Sequence, residues 1–457
     1  MKPRQRVTGS LLAALCWLLA FESRAELWVT GYYPAYKRAT MPPANIDFTT
    51  VTHLIHFAMS VNPNGSLDAT RLDLSPAHMA DVVGRAHAAG RKVLICAGGA
   101  DSQIVFQGAT SSGRLTTFIS NLTQVVVAHG YDGVDLDWEP MNVTDTAQFT
   151  NLVHGLRSAL DQLPQPKLLT AAVAAYPPYG DPPTAQYRMF ASLQNRFDQI
   201  NVMTYDLSGP WPGWVTWFNA PVFDGGYGFP STGALLPSMD GAIRNFLSNG
   251  VTPAKLGVGI PFYSYLWTGG GVSQPRQAWP DTSVPVVTTE SFATIATTYF
   301  RSNVYHWDNN AQSAYLAISN GVSGPARFIS YDDPRACQAK VSYARNRSLG
   351  GVMIWELSQD YFPSAPVGQR HPLLQSINEA LASPGRTMVG LASNAVTLTF
   401  TGIPLGSYRV QWTDNLSTPT WNTLVVTNVT GPGGVLNITD PRPTSNGQRF
   451  YRVQSPP

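Results

Sequence analysis

The chain contains little charge and little cysteine, and each shortage excludes a class of protein. Only 13% of its 457 residues are charged, and the formal net charge is +2. A nucleic-acid partner is therefore not expected, since such proteins usually present a strongly basic face. Outside the N-terminal segment the only cysteines are Cys96 and Cys337. Two distant cysteines in a large domain do not form a disulfide scaffold, so we expect two buried thiols.

The N-terminal segment lacks a hydrophobic run long enough to cross a membrane. Its apolar run, residues 11–21, is shorter than the ~20 residues that a transmembrane helix needs. Three basic residues precede this run, and the small residues Ser23 and Ala25 follow it. The pattern is typical of a secretory signal peptide that is cleaved after Ala25. We therefore expect residues 1–25 to be removed and the mature protein to be secreted, extracellular or periplasmic, with no membrane partner.

Between residues 26 and 383, short apolar strands alternate with amphipathic helical stretches. Helical patterns such as 76–89, 114–129, 146–162, 239–248 and 335–347 separate the strand candidates. Eight such repeats predict an α/β fold, a closed (β/α)8 TIM barrel. An open doubly wound sheet is the alternative, but no glycine-rich phosphate loop follows the first strand. The eight strand candidates are residues 27–33, 52–60, 92–98, 132–139, 167–175, 199–206, 255–262 and 350–356.

The interval between the seventh and eighth strands, residues 263–328, is unusually long. It contains a helix-like stretch at 289–300 and β-like runs at 304–307 and 314–318. Structureless loops of this length are uncommon, so we expect a small inserted α+β subdomain.

The composition changes after residue 385. Residues 386–457 contain no lysine and no glutamate, and apolar residues alternate between Pro-Gly and Asn-Gly turns. This pattern predicts a separate, small all-β module of sandwich type. Its large aromatic residues fit either a sugar-stacking face or the core, and a small domain needs such side chains inside. They are Tyr408, Trp412, Trp421 and Tyr451.

Residues 131–140, YDGVDLDWEP, place three acids at alternate positions of an apolar strand. Alternate side chains share a face, so Asp135, Asp137 and Glu139 are expected to point into the barrel. Glu139 stands at the C-terminal end of the strand, where barrels keep their active sites. Asp132 has the opposite parity and is expected to be structural. Crowded carboxylates cannot all ionise, which predicts a raised pKa on the outermost acid and proton donation near neutrality.

A solvated strand edge and a metal site are the two alternatives to a catalytic role for these acids. The interleaved apolar residues argue against a solvated edge. The eight histidines show no ligand spacing around the motif, and no calcium-type loop surrounds it. We therefore expect neither a metal nor a cofactor.

The segment YDGVDLDWE resembles the signature of glycoside hydrolase family 18, the chitinases and their relatives. Five further segments resemble the family's second, third, sixth, seventh and eighth strands, so the likeness extends across the barrel. They are THLIHFA, KVLICAGG, INVMTYDLSGPW, KLGVGIPFY and GGVMIWELSQD. Chitinases of this family also often carry an α+β domain between the seventh and eighth strands.

The resemblance implies catalytic roles for five residues. Glu139 would act as general acid and then as general base. Asp137 would orient the acetamide of the substrate, and Asp135 would hold the remaining negative charge. Tyr205 and Asp206 fall at family positions that contact the acetamide.

The resemblance also implies substrate-binding roles. Met203 would lie beside the acetamide, Trp355 would form the floor under the sugar that is cut, and Trp211 would be a stacking platform on the leaving-group side. Tyr32 and Tyr263 would be wall residues. Core packing is the alternative for each aromatic residue.

Three positions depart from the family pattern. Cys96 replaces the usual serine of the third strand, and a thiol is a weaker donor toward Asp135. Ala100 stands where many processive members have tryptophan. The seventh strand ends in Phe262, Tyr263 and Ser264 where Tyr-Gly-Arg is usual. The last two departures argue against strong processivity and the usual subsite arrangement.

Together these features predict a monomeric, secreted, retaining hydrolase of β-1,4-linked N-acetylglucosamine polymers such as chitin or chito-oligosaccharides. The three acids lie on one strand face, so no second carboxylate is obviously placed opposite Glu139. The substrate's acetamide would then be the nucleophile, through an oxazolinium intermediate, as in substrate-assisted members of this family. An endo-β-N-acetylglucosaminidase acting on glycoprotein glycans or peptidoglycan is the alternative in the same class. A chitin-binding lectin is the alternative of another class.

Overall fold

The computed structural model describes residues 27–320, 325–382, 388–392, 395–401, 407–415, 418–428, 435–441 and 449–454. The expected signal peptide, residues 1–25, and the expected boundary at residues 383–386 lie outside these ranges and stay predictions. Within the described ranges, no helix combines the length and the apolar character that crossing a membrane requires.

The strands up to residue 382 form a barrel and one further sheet. They are β1 Trp28–Pro34, β2 His53–Val61, β3 Leu67–Asp68, β4 Lys92–Gly99, β5 Gly133–Trp138, β6 Leu168–Ala174, β7 Gln199–Met203, β8 Leu256–Pro261, β9 Tyr263–Thr268, β10 Val286–Ser291, β11 Tyr305–Asp308, β12 Ser313–Ile318, β13 Arg327–Tyr331 and β14 Gly351–Trp355.

Eight parallel strands close into a barrel in the order β1-β14-β8-β7-β6-β5-β4-β2, with β2 pairing back to β1. Each of these strands overlaps one of the predicted ranges. Because every strand has a partner on both sides, the sheet is closed, which confirms the TIM-barrel prediction and rules out the open doubly wound sheet.

Helices follow the barrel strands, and several begin at side-chain caps. Ser75, Ser238 and Asp333 each accept a hydrogen bond from a backbone N–H of the first turn, which stabilises the helix start. The helices are α1 Pro76–Ala88, α2 Gln103–Ala109, α3 Leu115–His129, α4 Thr146–Asp161, α5 Ala185–Leu193, α6 Met239–Ser248, α7 Phe292–Thr294, α8 Pro334–Asn346 and α9 Pro372–Ala382.

The two faces of β5 have opposite character. Val134, Leu136 and Trp138 belong to the large apolar cluster between the barrel and its helices. Trp138 stacks on Phe106 of α2 with ring centroids 4.7 Å apart. The acids of the other face point into the barrel, as the alternation predicts. One strand therefore serves both the core and the barrel interior.

Asp132 lies just before β5, and its side chain binds the N-terminal end of β4. Its carboxylate accepts hydrogen bonds from the ring of His87, the ammonium of Lys92 and the backbone N–H of Val93, at 2.9–3.0 Å. These contacts tie neighbouring strands together away from the acids of the barrel interior. The expectation of a structural role for Asp132 is met.

The segment after β8 forms an antiparallel sheet in the order β10-β9-β13-β12-β11. The prediction of a helix-like stretch over 289–300 is wrong in its first three residues, which belong to β10. That run pairs with β9 as far as Ser291, because its threonines suit an extended backbone. Ser291 then caps α7, which continues as a π-helical turn, Ile295–Tyr299. The alternation of β9 and β13 was not recognised from the sequence.

Beyond residue 387 the described strands form two three-stranded antiparallel sheets, as the all-β prediction requires. Val396, Leu398 and Val410 form an apolar cluster that draws on both sheets. The strands are β15 Met388–Ala392, β16 Ala395–Thr401, β17 Ser407–Thr413, β18 Asn422–Asn428, β19 Val435–Asp440 and β20 Phe450–Gln454.

The aromatic residues of this module divide between core and edge. Tyr451 packs against the apolar cluster and donates a hydrogen bond to Asp440. Trp412 and Trp421 are half-buried, and an arginine guanidinium lies over each ring at 4.1 and 4.2 Å. The core interpretation therefore fits Tyr451 best.

A chain that ends at residue 383 is expected to fold without the C-terminal module. The described residues of the large apolar cluster end at Leu381, so no described residue of the C-terminal module belongs to the core of the barrel. We expect the shortened protein to be soluble and to unfold in one cooperative thermal transition, followed by circular dichroism. Aggregation, or a broad non-cooperative melt, would show that the boundary is misplaced.

Candidate active site

A cleft of about 940 Å³ opens at the C-terminal ends of the barrel strands. All residues predicted for the site line this cleft except Asp135, which is fully buried beneath it. The lining residues from that set are Tyr32, Asp137, Glu139, Met203, Tyr205, Asp206, Trp211, Tyr263 and Trp355.

Asp135 is the innermost acid and is held by hydroxyl donors. The Tyr32 hydroxyl donates to it at 2.8 Å and the Thr170 hydroxyl at 2.5 Å. Burial raises the pKa of Asp135 to about 6, while hydrogen bonds from Thr170, Tyr32 and Cys96 act in the opposite direction. Two hydroxyl donors, stronger than the thiol of Cys96, thus also bind Asp135. Thr170 was not identified from the sequence, because its place beside Asp135 depends on the pairing of β6 with β5.

Asp137 and Glu139 are hydrogen-bonded to each other at the mouth of the barrel. Burial raises the pKa of Asp137 well above its usual range, and the charges of Glu139 and Asp135 raise it further. Burial also raises the pKa of Glu139, although the hydrogen bond from Asp137 lowers it. Oδ1 of Asp137 is buried and receives no hydrogen bond from the residues that the structure describes.

The pKa values of both Asp137 and Glu139 are raised, and the stronger rise falls on the middle acid of the three. The sequence predicted the raised pKa on the outermost acid, and the pKa of Glu139 is indeed raised. The rise is stronger for Asp137 because its carboxyl is more deeply buried and, in addition, has another carboxylate on either side. Asp137 therefore donates its hydrogen bond to Glu139, and Glu139 is the acid that solvent and a ligand can reach.

The backbone of Glu139 is fixed by the start of α2. The N–H of Glu139 donates to Oγ of Ser102 at 2.9 Å, and that hydroxyl donates to the carbonyl of Asp137 at 3.1 Å. The N–H of Gln103 donates to the carbonyl of Glu139 at 3.1 Å. Ser102 carries no sequence signal of this role, since the contact joins two separate loops.

Asp206 is held in an unusual backbone conformation with φ +58°. Its N–H donates to Oδ1 of Asn219 at 2.9 Å, and the Tyr263 hydroxyl donates to its carboxylate at 2.5 Å. Burial raises the pKa of Asp206, while hydrogen bonds from Tyr263 and Tyr265 lower it. Tyr265 was not identified from the sequence. Ser264, between them, points to β10 and donates to the carbonyl of Glu290.

Aromatic side chains form the floor and walls of the cleft. The Trp355 ring meets Phe57 edge-on at 4.9 Å and Tyr32 at 5.5 Å. Tyr205 meets Tyr263 at 5.9 Å, and its hydroxyl donates to Sδ of Met353 at 3.7 Å. These rings combine core contacts with a surface on the cleft.

The outer part of the cleft is more exposed. Trp211 is 47% exposed and meets Trp214 edge-on at 4.6 Å. Tyr179 is fully exposed, and Tyr176 lines the same cleft. Trp214, Tyr179 and Tyr176 were not identified from the sequence. Aromatic residues among prolines and glycines after a barrel strand are nevertheless a usable signal for exposed rings.

Several known proteins are similar to this chain in sequence. The family model described as Glycosyl hydrolases family 18 matches residues 29–360. The chain is 28% identical over 360 residues to Chitinase A1 of Niallia circulans. The aligned region covers 71% of this chain but only 48% of that protein. It is 26% identical over 364 residues to the Class V chitinase of Arabidopsis thaliana, covering 77% and 91% of the two chains.

A solved structure shows the same similarity in three dimensions. The crystal structure of the Ostrinia furnacalis Group IV chitinase in complex with allosamidin has a TM-score of 0.64 and 25% identity to this chain. The superposition covers 78% of this chain and 99% of the other.

Replacing Thr170 by valine tests the electrostatics around Asp135. Loss of a donor to the ionised carboxylate raises the pKa of Asp135 above about 6 in the folded state. A raised folded pKa makes ionisation oppose folding, so the deficit of Thr170→Val should grow as pH rises through 6. We expect urea unfolding to show a deficit that is larger by about 1 kcal/mol at pH 7.5 than at pH 4.5.

Thr30→Val is the matched control for this measurement. Thr30 is also fully buried, and its hydroxyl donates to the neutral amide of Gln199 at 3.0 Å. Its stability deficit should be the same at both pH values. An equal pH dependence in the two variants would contradict the assignment.

Proposed function

The chain belongs to the glycosyl hydrolases of family 18, and on that premise we propose that it is a chitinase-like enzyme. Its substrate would be chitin or another β-1,4-linked N-acetylglucosamine polymer, cleaved with retention of configuration. The observation that carries the proposal is the hydrogen-bonded pair of Asp137 and Glu139 at the floor of an aromatic cleft, where burial raises the pKa of both acids. The chitinase names of the relatives support the same substrate class.

Glu139 is the proposed general acid. Its raised pKa keeps a proton available near neutrality, and its position on the cleft lets it reach a glycosidic oxygen. As the bond between C1 and that oxygen breaks, the proton passes from Glu139 to the leaving sugar. The resulting carboxylate is stabilised by the hydrogen bond from Asp137.

The nucleophile is proposed to come from the substrate, because the other carboxyl groups of the cleft are engaged. Asp137 is neutral and therefore a poor nucleophile, and Asp206 accepts hydrogen bonds from two tyrosines. The acetamide oxygen of the sugar before the cut attacks C1 and forms an oxazolinium ion. A water molecule, deprotonated by Glu139, then attacks C1 from the opposite side. The bond between C1 and the acetamide oxygen breaks, which regenerates the acetamide and restores the starting configuration.

Asp137 and Tyr205 are proposed to position this acetamide. Asp137 would orient its N–H group and stabilise the charge that develops there. The Tyr205 hydroxyl now donates to the sulfur of Met353, a weak acceptor, and can turn to the acetamide oxygen at little cost. Such positioning shortens the path to attack at C1.

The aromatic residues are proposed to bind the sugar chain by stacking. Trp355 would support the sugar whose bond is cut, and Trp211 would support a sugar on the leaving-group side. Tyr179 and Trp214 extend the same surface outward. Secretion, expected from residues 1–25, would bring the enzyme to an extracellular polymer.

Replacing Glu139 by glutamine is expected to lower turnover of chito-oligosaccharides by about 10²- to 10⁴-fold, the contribution of a general acid. Binding of the oligomer, measured by calorimetry, should remain because the cleft keeps its shape. Glu379→Gln is the matched control on α9, because the pKa of Glu379 is also raised, to about 7. This variant should leave turnover unchanged. A wild-type protein that binds without hydrolysis would favour the lectin, and a loss below tenfold would place the acid elsewhere.

Substrate assistance predicts two properties of the products. New chain ends should appear first as the β-anomer, because two displacements at C1 restore the configuration. Partially deacetylated chitosan should give new reducing ends that are all N-acetylglucosamine, since an amine cannot form an oxazolinium ion. Both are measurable by NMR of early products. A substantial share of glucosamine at new reducing ends, or α-anomers first, would indicate direct attack by water.

A further inference from the structure

A second, smaller pocket of about 260 Å³ opens beside Glu139. It lies where β5 and β6 end and α5 passes over them, and it shares part of its lining with the main cleft. A substituent of a sugar that contacts Glu139 can therefore enter it without displacing the chain. The shared residues are Ala100, Glu139, Ala172, Ala174 and Met203.

The walls of this side pocket are mainly apolar. They are supplied by Trp138, Met141, Phe149, Val173 and Phe190. The Trp138 ring lies on the outer face of β5, against Phe149 at 6.1 Å. Such walls favour a group that brings a methyl or a similar apolar surface.

Two residues of the lining each carry a polar atom without a partner in the described part of the chain. Nε1 of Trp138 is a buried donor, and Oε1 of Gln186 is a buried acceptor. The two residues are only 4% and 8% exposed, and both atoms are covered by their neighbours, so a ligand reaches them only when the surrounding side chains shift. The Gln186 amide is oriented by its Nε2, which donates to the carbonyl of Ala174 at 2.7 Å, so its oxygen keeps its place. Buried polar atoms without partners are costly, and a donor on one lining residue with an acceptor on another favours a ligand that offers both kinds of partner.

We propose that the side pocket receives the N-acetyl group of the sugar on the leaving-group side of the bond that is cut. A secondary amide offers an N–H group to Gln186, a carbonyl oxygen to Trp138 and a methyl group to the apolar walls. A hydroxymethyl group or water also offers hydrogen bonds, but neither offers a methyl group. This inference rests on the proposed function and deepens it.

The mechanism decides which of the two neighbouring acetamides enters the pocket. The acetamide before the cut must stay at C1, close to Asp137 and Tyr205 in the main cleft. The acetamide of the leaving sugar takes no part in the bond changes and is free to enter the side pocket. The site would then read the N-acetyl groups on both sides of Glu139.

The test uses partially deacetylated chitosan and reads the new non-reducing ends, which come from the leaving sugar. Wild-type protein should enrich N-acetylglucosamine at these ends above its share in the polymer. Trp138→Phe and Gln186→Met each remove one hydrogen-bonding atom, and each should lower this preference about fivefold. The composition of the new reducing ends should stay unchanged in both variants.

Two control variants separate this effect from general loss of packing. Trp267→Phe removes a second buried indole N–H without a partner among the described residues, in the inserted sheet. Gln375→Met makes the matching change on α9. Neither should alter the preference at the new non-reducing ends.

The outcomes distinguish this inference from the proposed function. Wild-type non-reducing ends that match the composition of the polymer would overturn the side-pocket assignment, and this result needs no variant. A preference that survives in both Trp138→Phe and Gln186→Met would also overturn it and would indicate a pocket filled by water. Glucosamine at the new reducing ends would instead contradict the proposed mechanism.

Discussion

The site depends on the confinement of three carboxyl groups on one face of one strand. Among the described residues that line the cleft there is no lysine or arginine, so no cation neutralises them. Their charge can be lowered only by a proton or by neutral donors. Tyr32 and Thr170 supply donors to Asp135, whereas burial and its neighbours raise the pKa of Asp137 well above its usual range and so favour a proton between Asp137 and Glu139. The protonation of Glu139, the acid that faces the cleft, therefore depends on the residues packed behind it.

The closed barrel explains how the chain keeps three carboxyl groups so close together. The eight strands hydrogen-bond to one another all the way round, so the interior acids are carried on backbone that cannot relax outward. On the opposite face of β5, Trp138 stacks on Phe106 and anchors the strand end. Packing on one face thus offsets electrostatic repulsion on the other. The same Trp138 also lines the side pocket, so both faces of the strand meet the proposed substrate.

The sequence predicted what depends on local periodicity. The alternation of residues 132–139 was enough to place Asp135, Asp137 and Glu139 inside the barrel and Trp138 outside. Contacts that depend on pairing between distant segments were not predictable in this way. Thr170 and Tyr265 reach their acids only because β6 lies beside β5 and β9 follows β8. The threonine-rich start of 289–300 was misassigned because the strand that pairs with it, β9, had not been recognised.

Neutral donors surround Asp206 as well as Asp135. Around Asp206, the hydroxyls of Tyr263 and Tyr265 hold a carboxylate in place without adding charge. Burial is the main cause of the raised pKa of Glu139, and the charge of Asp206 raises it further. The neutral donors around Asp206 add no positive charge that would oppose this effect. They therefore favour a protonated Glu139, which is the state that the first step of the proposed hydrolysis requires.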